Sequence, residues 1–82
     1  MRPTLNALLA HAAAQGVTVI WAPLPPGRRG AWHHTTRTII LRPGMSDTLA
    51  VPTLMHELEH ARRGDEGPQP RGVEARIDRA VA

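Results

Sequence analysis

Residues 51–60 read Val51-Pro52-Thr53-Leu54-Met55-His56-Glu57-Leu58-Glu59-His60. Val51, Leu54, Met55 and Leu58 recur at i, i+3, i+4 and i+7, the spacing of one apolar helix face. At about 100° per residue, His56 and His60 lie almost opposite that stripe and one turn apart. Such a helix can bury one face against a sheet or a second helix and turn the other towards a cleft.

The polar side spells His-Glu-x-x-His. Two imidazoles four residues apart can converge on one metal ion, and Glu57, about 100° round the helix from His56, stands beside them as a proton acceptor. Zinc lowers the pKa of a bound water towards neutrality, so a carboxylate of ordinary basicity can then generate hydroxide. The expected roles are metal ligands for His56 and His60, catalytic base for Glu57, and Zn2+ as cofactor. The same residues would equally serve a metal-stabilised module that binds a regulatory protein without cutting it.

Composition narrows the possibilities. Eighty-two residues suit a single domain over 1–82 with a modest core, which a bound metal would help to stabilise. The chain has no cysteine, so thiolate zinc sites and disulfide frameworks are excluded. Trp21 and Trp32 are its entire aromatic complement. Leu, Val, Ile, Ala and Met must therefore build the core, with a structural role expected for both tryptophans. The net charge of +3 comes from ten arginines against seven acids. These arginines are scattered from Arg2 to Arg79 without interleaved aromatics, so direct nucleic-acid binding is not expected. Leu5 to Ala14 is too short and too polar to span a membrane or to act as a secretory signal, and a cytoplasmic location is expected.

Around the pentapeptide the chain divides into short elements. Thr4 is a natural N-cap for a helix carrying Leu5, Leu8, Leu9 and Ala12, stopped by Gln15-Gly16. Val17 to Trp21 is β-branched and aromatic and reads as a strand, ended by Pro23-Leu24-Pro25-Pro26-Gly27. Ala31–Thr35 and Arg37–Leu41 read as two strands joined by a tight turn near Thr35-Thr36. A helix should start at Ser46 or Asp47, with Pro52 in its first turn or at a local break, and end at Gly64. After the loop Asp65–Arg71, a last helix from about Gly72 would bury Val73, Ile77, Ala80 and Val81. The expected fold is α+β: an N-terminal helix, a small, mainly antiparallel three-stranded sheet, an active-site helix and a C-terminal helix.

Catalytic zinc sites usually carry three protein ligands and one open position. Glu74 stands about 75° from the centre of the last helix's apolar stripe and is the first candidate for the third ligand. Asp78, at about 115°, is the second. Glu66 follows His60 at metzincin spacing, but the glycine of that turn would have to replace Arg63, which counts against it. Glu59 and Asp65 read as solvated acids, and His11 has no partner at ligand spacing. His33 and His34 alternate across a strand, so at most one of them can reach the cleft to stabilise a developing oxyanion.

Several features run in a familiar order. A helix and the strand Gly16-Val17-Thr18-Val19 are followed by Leu24-Pro25 and a glycine before a strand pair. Then come Leu54-Met55-His56-Glu57-Leu58-Glu59-His60, an Arg-Gly-Asp loop and Val73-Glu74-Ala75-Arg76-Ile77-Asp78. This order resembles the ImmA/IrrE family of zinc metallopeptidases. The resemblance implies a zincin-like, gluzincin-type core with His56, His60 and Glu74 as zinc ligands and Glu57 as catalytic base. It further implies a phage or mobile-element context and a protein or peptide substrate, with DNA-binding repressors among those cleaved.

Overall fold

The computed structural model describes residues 3–64. Within them the chain forms α1 (Leu5–Ala14), β1 (Thr18–Trp21), β2 (Gly30–His33), β3 (Thr38–Leu41) and α2 (Asp47–Arg63), an α+β arrangement of two helices and one sheet. The expected last helix, with Glu74 and Asp78, and the loop bearing Asp65 and Glu66 lie outside the described residues.

Helix α1 begins as its sequence dictates. The Thr4 hydroxyl accepts from the Ala7 amide at 3.0 Å, satisfying one of the amides that a helix start leaves without an internal partner. Leu5, Leu8, Leu9 and Ala12 point inward, with Ala12 fully buried. Gly16, at φ 73°, turns the chain out of the helix and into β1.

The sheet has the order β1-β3-β2, with β1 parallel and β2 antiparallel to β3. It is therefore mixed, where a mainly antiparallel sheet was expected. The difference lies in residues 22–29, which carry the chain from one edge of the sheet to the other before the hairpin brings β3 back between them. Thr38-Ile39-Ile40-Leu41 takes the centre, where Ile39 and Leu41 are fully buried. β1 stays at an edge, with Ile20 and Trp21 41% and 43% exposed. The crossing loop is held from beneath. The Arg42 guanidinium donates to the carbonyl of Pro25 at 2.6 Å and to that of Leu24 at 3.4 Å.

The hairpin turn covers 34–37, two residues wider than the tight turn expected. The Arg37 amide donates to His34 O at 3.1 Å, and Arg37 adopts φ 47°. Its guanidinium lies 5.7 Å from the centre of the Trp32 ring and donates to Gln15 O at 3.2 Å, tying the turn to the end of α1.

Both helices pack on one face of the sheet. α1 lies on β1, α2 lies across β2 and β3, and the helices touch each other. The core comprises Ala12, Val17, Ile39, Leu41, Leu54 and Ala61, with Leu5, Leu8, Leu9, Val19, Trp32, Met45 and Leu58 packed round it. No helix of the described residues is long and apolar enough to cross a membrane.

α2 departs from expectation in two ways. Its buried residues are Ala50, Leu54, Glu57, His60 and Ala61, an arc centred about 90° from the Val51–Leu58 stripe. Leu54 and Leu58 still join the core, but the side presented to the sheet is that of Glu57. Pro52 sits beyond the first turn, and the helix continues through it. Its ring removes the amide that would bond to Thr48 O, and next to it the Thr53 hydroxyl donates to Leu49 O at 2.7 Å. Gly64, at φ 71°, closes the helix with its amide 3.1 Å from Ala61 O. Pro52→Ala restores a main-chain donor on an exposed helix surface and should stabilise the protein by about 1–3 kcal/mol. Urea unfolding should show a higher midpoint at unchanged slope, and an unmoved midpoint would mean that the proline carries no cost here.

Candidate metal and catalytic centre

His56 and Glu57 lie in the C-terminal half of α2 and His60 in its last turn, all within the helix, whose geometry sets their directions. The imidazole centroids of His56 and His60 are 4.9 Å apart with their planes inclined at 78°. Two imidazoles bound tetrahedrally, with Zn–N near 2.0–2.1 Å, would have centroids roughly 5 Å apart, so the pair fits such an ion. His56 Nε2 stands 3.9 Å from Glu57 Oε2. Nitrogen pair and carboxylate are therefore together on one side of the helix, as their spacing predicts. Imidazole nitrogens are donors that suit zinc.

Burial is greater than the expected open cleft would give. Glu57 is 6% and His60 5% exposed, whereas His56 is half-buried. Covering is provided by β2. A Cβ placed on Gly30 would lie 2.9 Å from Thr53 Cγ2, 3.1 Å from Glu57 Cγ and 3.4 Å from Glu57 Oε2. The strand backbone thus rests directly on the carboxylate side chain. At the other end of β2, His34 Cε1 is 3.9 Å from the corresponding position on Gly64. β2 and α2 consequently run side by side in the same direction.

Among the described residues β2 is also an edge strand, and its register decides which groups face outward. The Arg42 amide donates to Arg29 O at 2.9 Å, and Gly30 pairs with Leu41. In an antiparallel ladder, bonded and non-bonded pairs alternate. Arg29–Arg42 and Ala31–Ile40 are the bonded pairs, so the main-chain groups of Gly30 and Trp32 point away from β3, towards the open edge. This edge lies immediately above Glu57.

Of the neighbouring histidines, His33 is exposed at the end of β2. His34, the first residue of the turn, is half-buried. Its ring meets that of Trp32 edge-on at 6.1 Å, and its Nδ1 is shielded from solvent. Only His34 therefore lies on the α2 side, in keeping with strand alternation. His11 is exposed on α1. Glu59 hydrogen-bonds the Arg62 guanidinium, with its two oxygens 3.1 Å from Nε. This bond, aided by the Arg62 charge, holds the Glu59 carboxyl below its ordinary value. The small stabilisation it contributes is present above the unfolded carboxylate pKa and fades as pH falls through the lowered one.

Among the described residues no cluster of three His, Asp or Glu side chains could hold a metal ion. Glu74 and Asp78, the candidates for the third position, lie outside these residues. Sequence reasoning did not anticipate Gly30 as the residue that brings β2 down onto Glu57. An isolated glycine opening a strand was the available signal, since it marks close approach of another group to the backbone.

No protein-family model and no curated protein sequence matches the chain.

Gly30→Ala forces a methyl group into Thr53 and Glu57. Thr53 is β-branched and tied to Leu49 O, so it cannot swing aside. The substitution should destabilise the fold by about 1–3 kcal/mol, measured by urea denaturation. Unchanged stability would show that β2 does not sit this close to α2.

Proposed function

We propose that the chain is a small zinc-dependent endopeptidase with a zincin-like site, in which His56 and His60 hold the ion and Glu57 is the catalytic base. Glu74 is proposed as the third ligand, with Asp78 as the alternative. The observation that carries this reading is the position of Glu57, buried under Gly30 at an open strand edge and 3.9 Å from a ligand nitrogen. A surface pair of histidines would not need a carboxylate enclosed beside it. A strand edge also gives a polypeptide its most general docking surface, because main-chain hydrogen bonds do not depend on sequence.

In this scheme a substrate lies extended along β2. Its backbone pairs with the amide and carbonyl groups of Gly30 and Trp32, which brings a peptide carbonyl over Glu57. When bound, zinc would polarise that carbonyl and lower the pKa of the attacking water. Glu57 Oε2 accepts a proton as the water oxygen bonds to the carbonyl carbon, then returns it to the nitrogen as the C–N bond breaks. The β2 backbone covering Glu57 excludes bulk water, so the carboxylate acts in a medium where its charge is poorly screened. A protein substrate, with a DNA-binding repressor as one example, is part of the proposal.

The alternative is a metal-stabilised module that binds a protein without cutting it. The burial of both Glu57 and His60 favours it, since closed metal sites are structural.

Glu57→Gln keeps the shape of the side chain and removes its basicity. The variant should hold zinc at the wild-type stoichiometry and lose at least about 100-fold in peptide hydrolysis. Hydrolysis retained at the wild-type rate would rule out Glu57 as base. A wild type that binds zinc and a protein partner while cutting no peptide would support the alternative.

A further inference from the structure

We propose that Arg28 and Arg29 form an acidic-residue subsite, so that the peptide docked on β2 carries Asp or Glu just C-terminal to the bond over Glu57. This rests on the peptidase reading and adds a substrate class to it. Arg29 and Arg42 are direct cross-strand neighbours, joined by the 2.9 Å bond from the Arg42 amide to Arg29 O. Like charges opposite one another on a ladder repel, and Arg28 adds a third cation beside them. Among the described residues none of the three is paired with a carboxylate. Arg42 is turned under the crossing loop, where the carbonyls of Leu24 and Pro25 hold it. Arg28 and Arg29 remain exposed.

Their position gives this charge a direction. Arg29 and Arg28 precede Gly30 by one and two residues, which at about 3.4 Å per residue puts them next to the point where β2 covers Glu57. The Arg28 guanidinium lies 3.4 Å from Gly30 O, an outward-facing acceptor that an added strand would use. A substrate amide bonding to Gly30 O displaces Arg28 and frees its guanidinium for a carboxylate on the same strand. A substrate antiparallel to β2 runs from the His33 end to the Gly30 end, so the side chains reaching Arg28 and Arg29 follow the scissile bond. Exposed charge pairs of this kind correspond to about a three- to tenfold preference for an acid over its amide.

The test uses the zinc-loaded full chain and a library of octapeptides randomised over Ala, Leu, Thr, Gln, Glu and Lys, with products read by mass spectrometry. Glu should exceed Gln by about three- to tenfold within three residues C-terminal to the cut. In the Arg28→Gln/Arg29→Gln variant this excess of Glu over Gln should vanish. Equal cutting of Glu and Gln peptides, or an excess that survives the double substitution, overturns the proposal. A wild type that cuts nothing removes the peptidase reading alone. The subsite is then read from equilibrium binding of fluorescein-labelled Glu-rich and Gln-rich octapeptide pools. Tighter binding of the Glu pool, lost in the double variant, supports the subsite, and equal binding overturns it. Displacement of the Glu pool by a twelve-nucleotide single-stranded DNA at lower concentration than by unlabelled Glu peptides also overturns it, in favour of a phosphate-binding surface.

Discussion

The contact between the β2 backbone at Gly30 and the side chain of Glu57 organises everything around it. A carboxylate is costly to enclose, and a sheet does not ordinarily rest its main chain on one. Here the absence of a side chain at Gly30 lets the strand descend until only van der Waals distance separates it from Glu57 and Thr53. That approach fixes the rotation of α2, turning its Glu57 side to the sheet and leaving Val51 and Met55 half-buried. His56 and His60 stand beside the carboxylate on the same helix, and Gly30 of β2 lies against Glu57. A displaced strand would expose Glu57 and separate it from the strand edge.

The remainder of the fold keeps β2 where that contact needs it. β3 lies at the centre and anchors β2 through the antiparallel ladder, while the Arg42 guanidinium secures the loop that delivers the chain to the Gly30 end. At the other end, Arg37 spans Trp32 and the last carbonyl of the α1 terminus. In the proposed mechanism these are positioning contacts, each acting on the strand and not on the chemistry. Metal chemistry and strand docking would then share one short piece of structure, in which four residues of β2 lie along the two histidine turns of α2.

Much of this was legible in the sequence because the signals were local. Thr4 capping α1, the apolar spacing of Leu5, Leu8, Leu9 and Ala12, and Gly64 closing α2 are decided within one helical turn, and the structure follows them. The convergence of His56, Glu57 and His60 is likewise a property of helix geometry alone. Features set by distant partners were not legible. The parallel pairing of β1 with β3 depends on where the crossing loop lands, and the burial of Glu57 depends on a glycine 27 positions earlier in the chain. The apolar stripe places Glu57 on the open side of α2, but the missing side chain at Gly30 leaves room on the sheet surface for its carboxylate. Pro52 was expected in the first turn or at a local break, yet the helix continues through it, with Ala50 and Leu54 on either side of it buried.

The central claim is that His56 and His60 form two-thirds of a zinc site that the chain completes with a carboxylate. Metal stoichiometry of the purified full chain, measured beside His60→Ala and Glu74→Ala, tests it most directly. The account predicts one zinc per wild-type chain, its loss in His60→Ala, and affinity weakened by at least about tenfold in Glu74→Ala. A wild-type chain that takes up no zinc, or a His60→Ala variant that binds it as tightly as the wild type, would contradict the account.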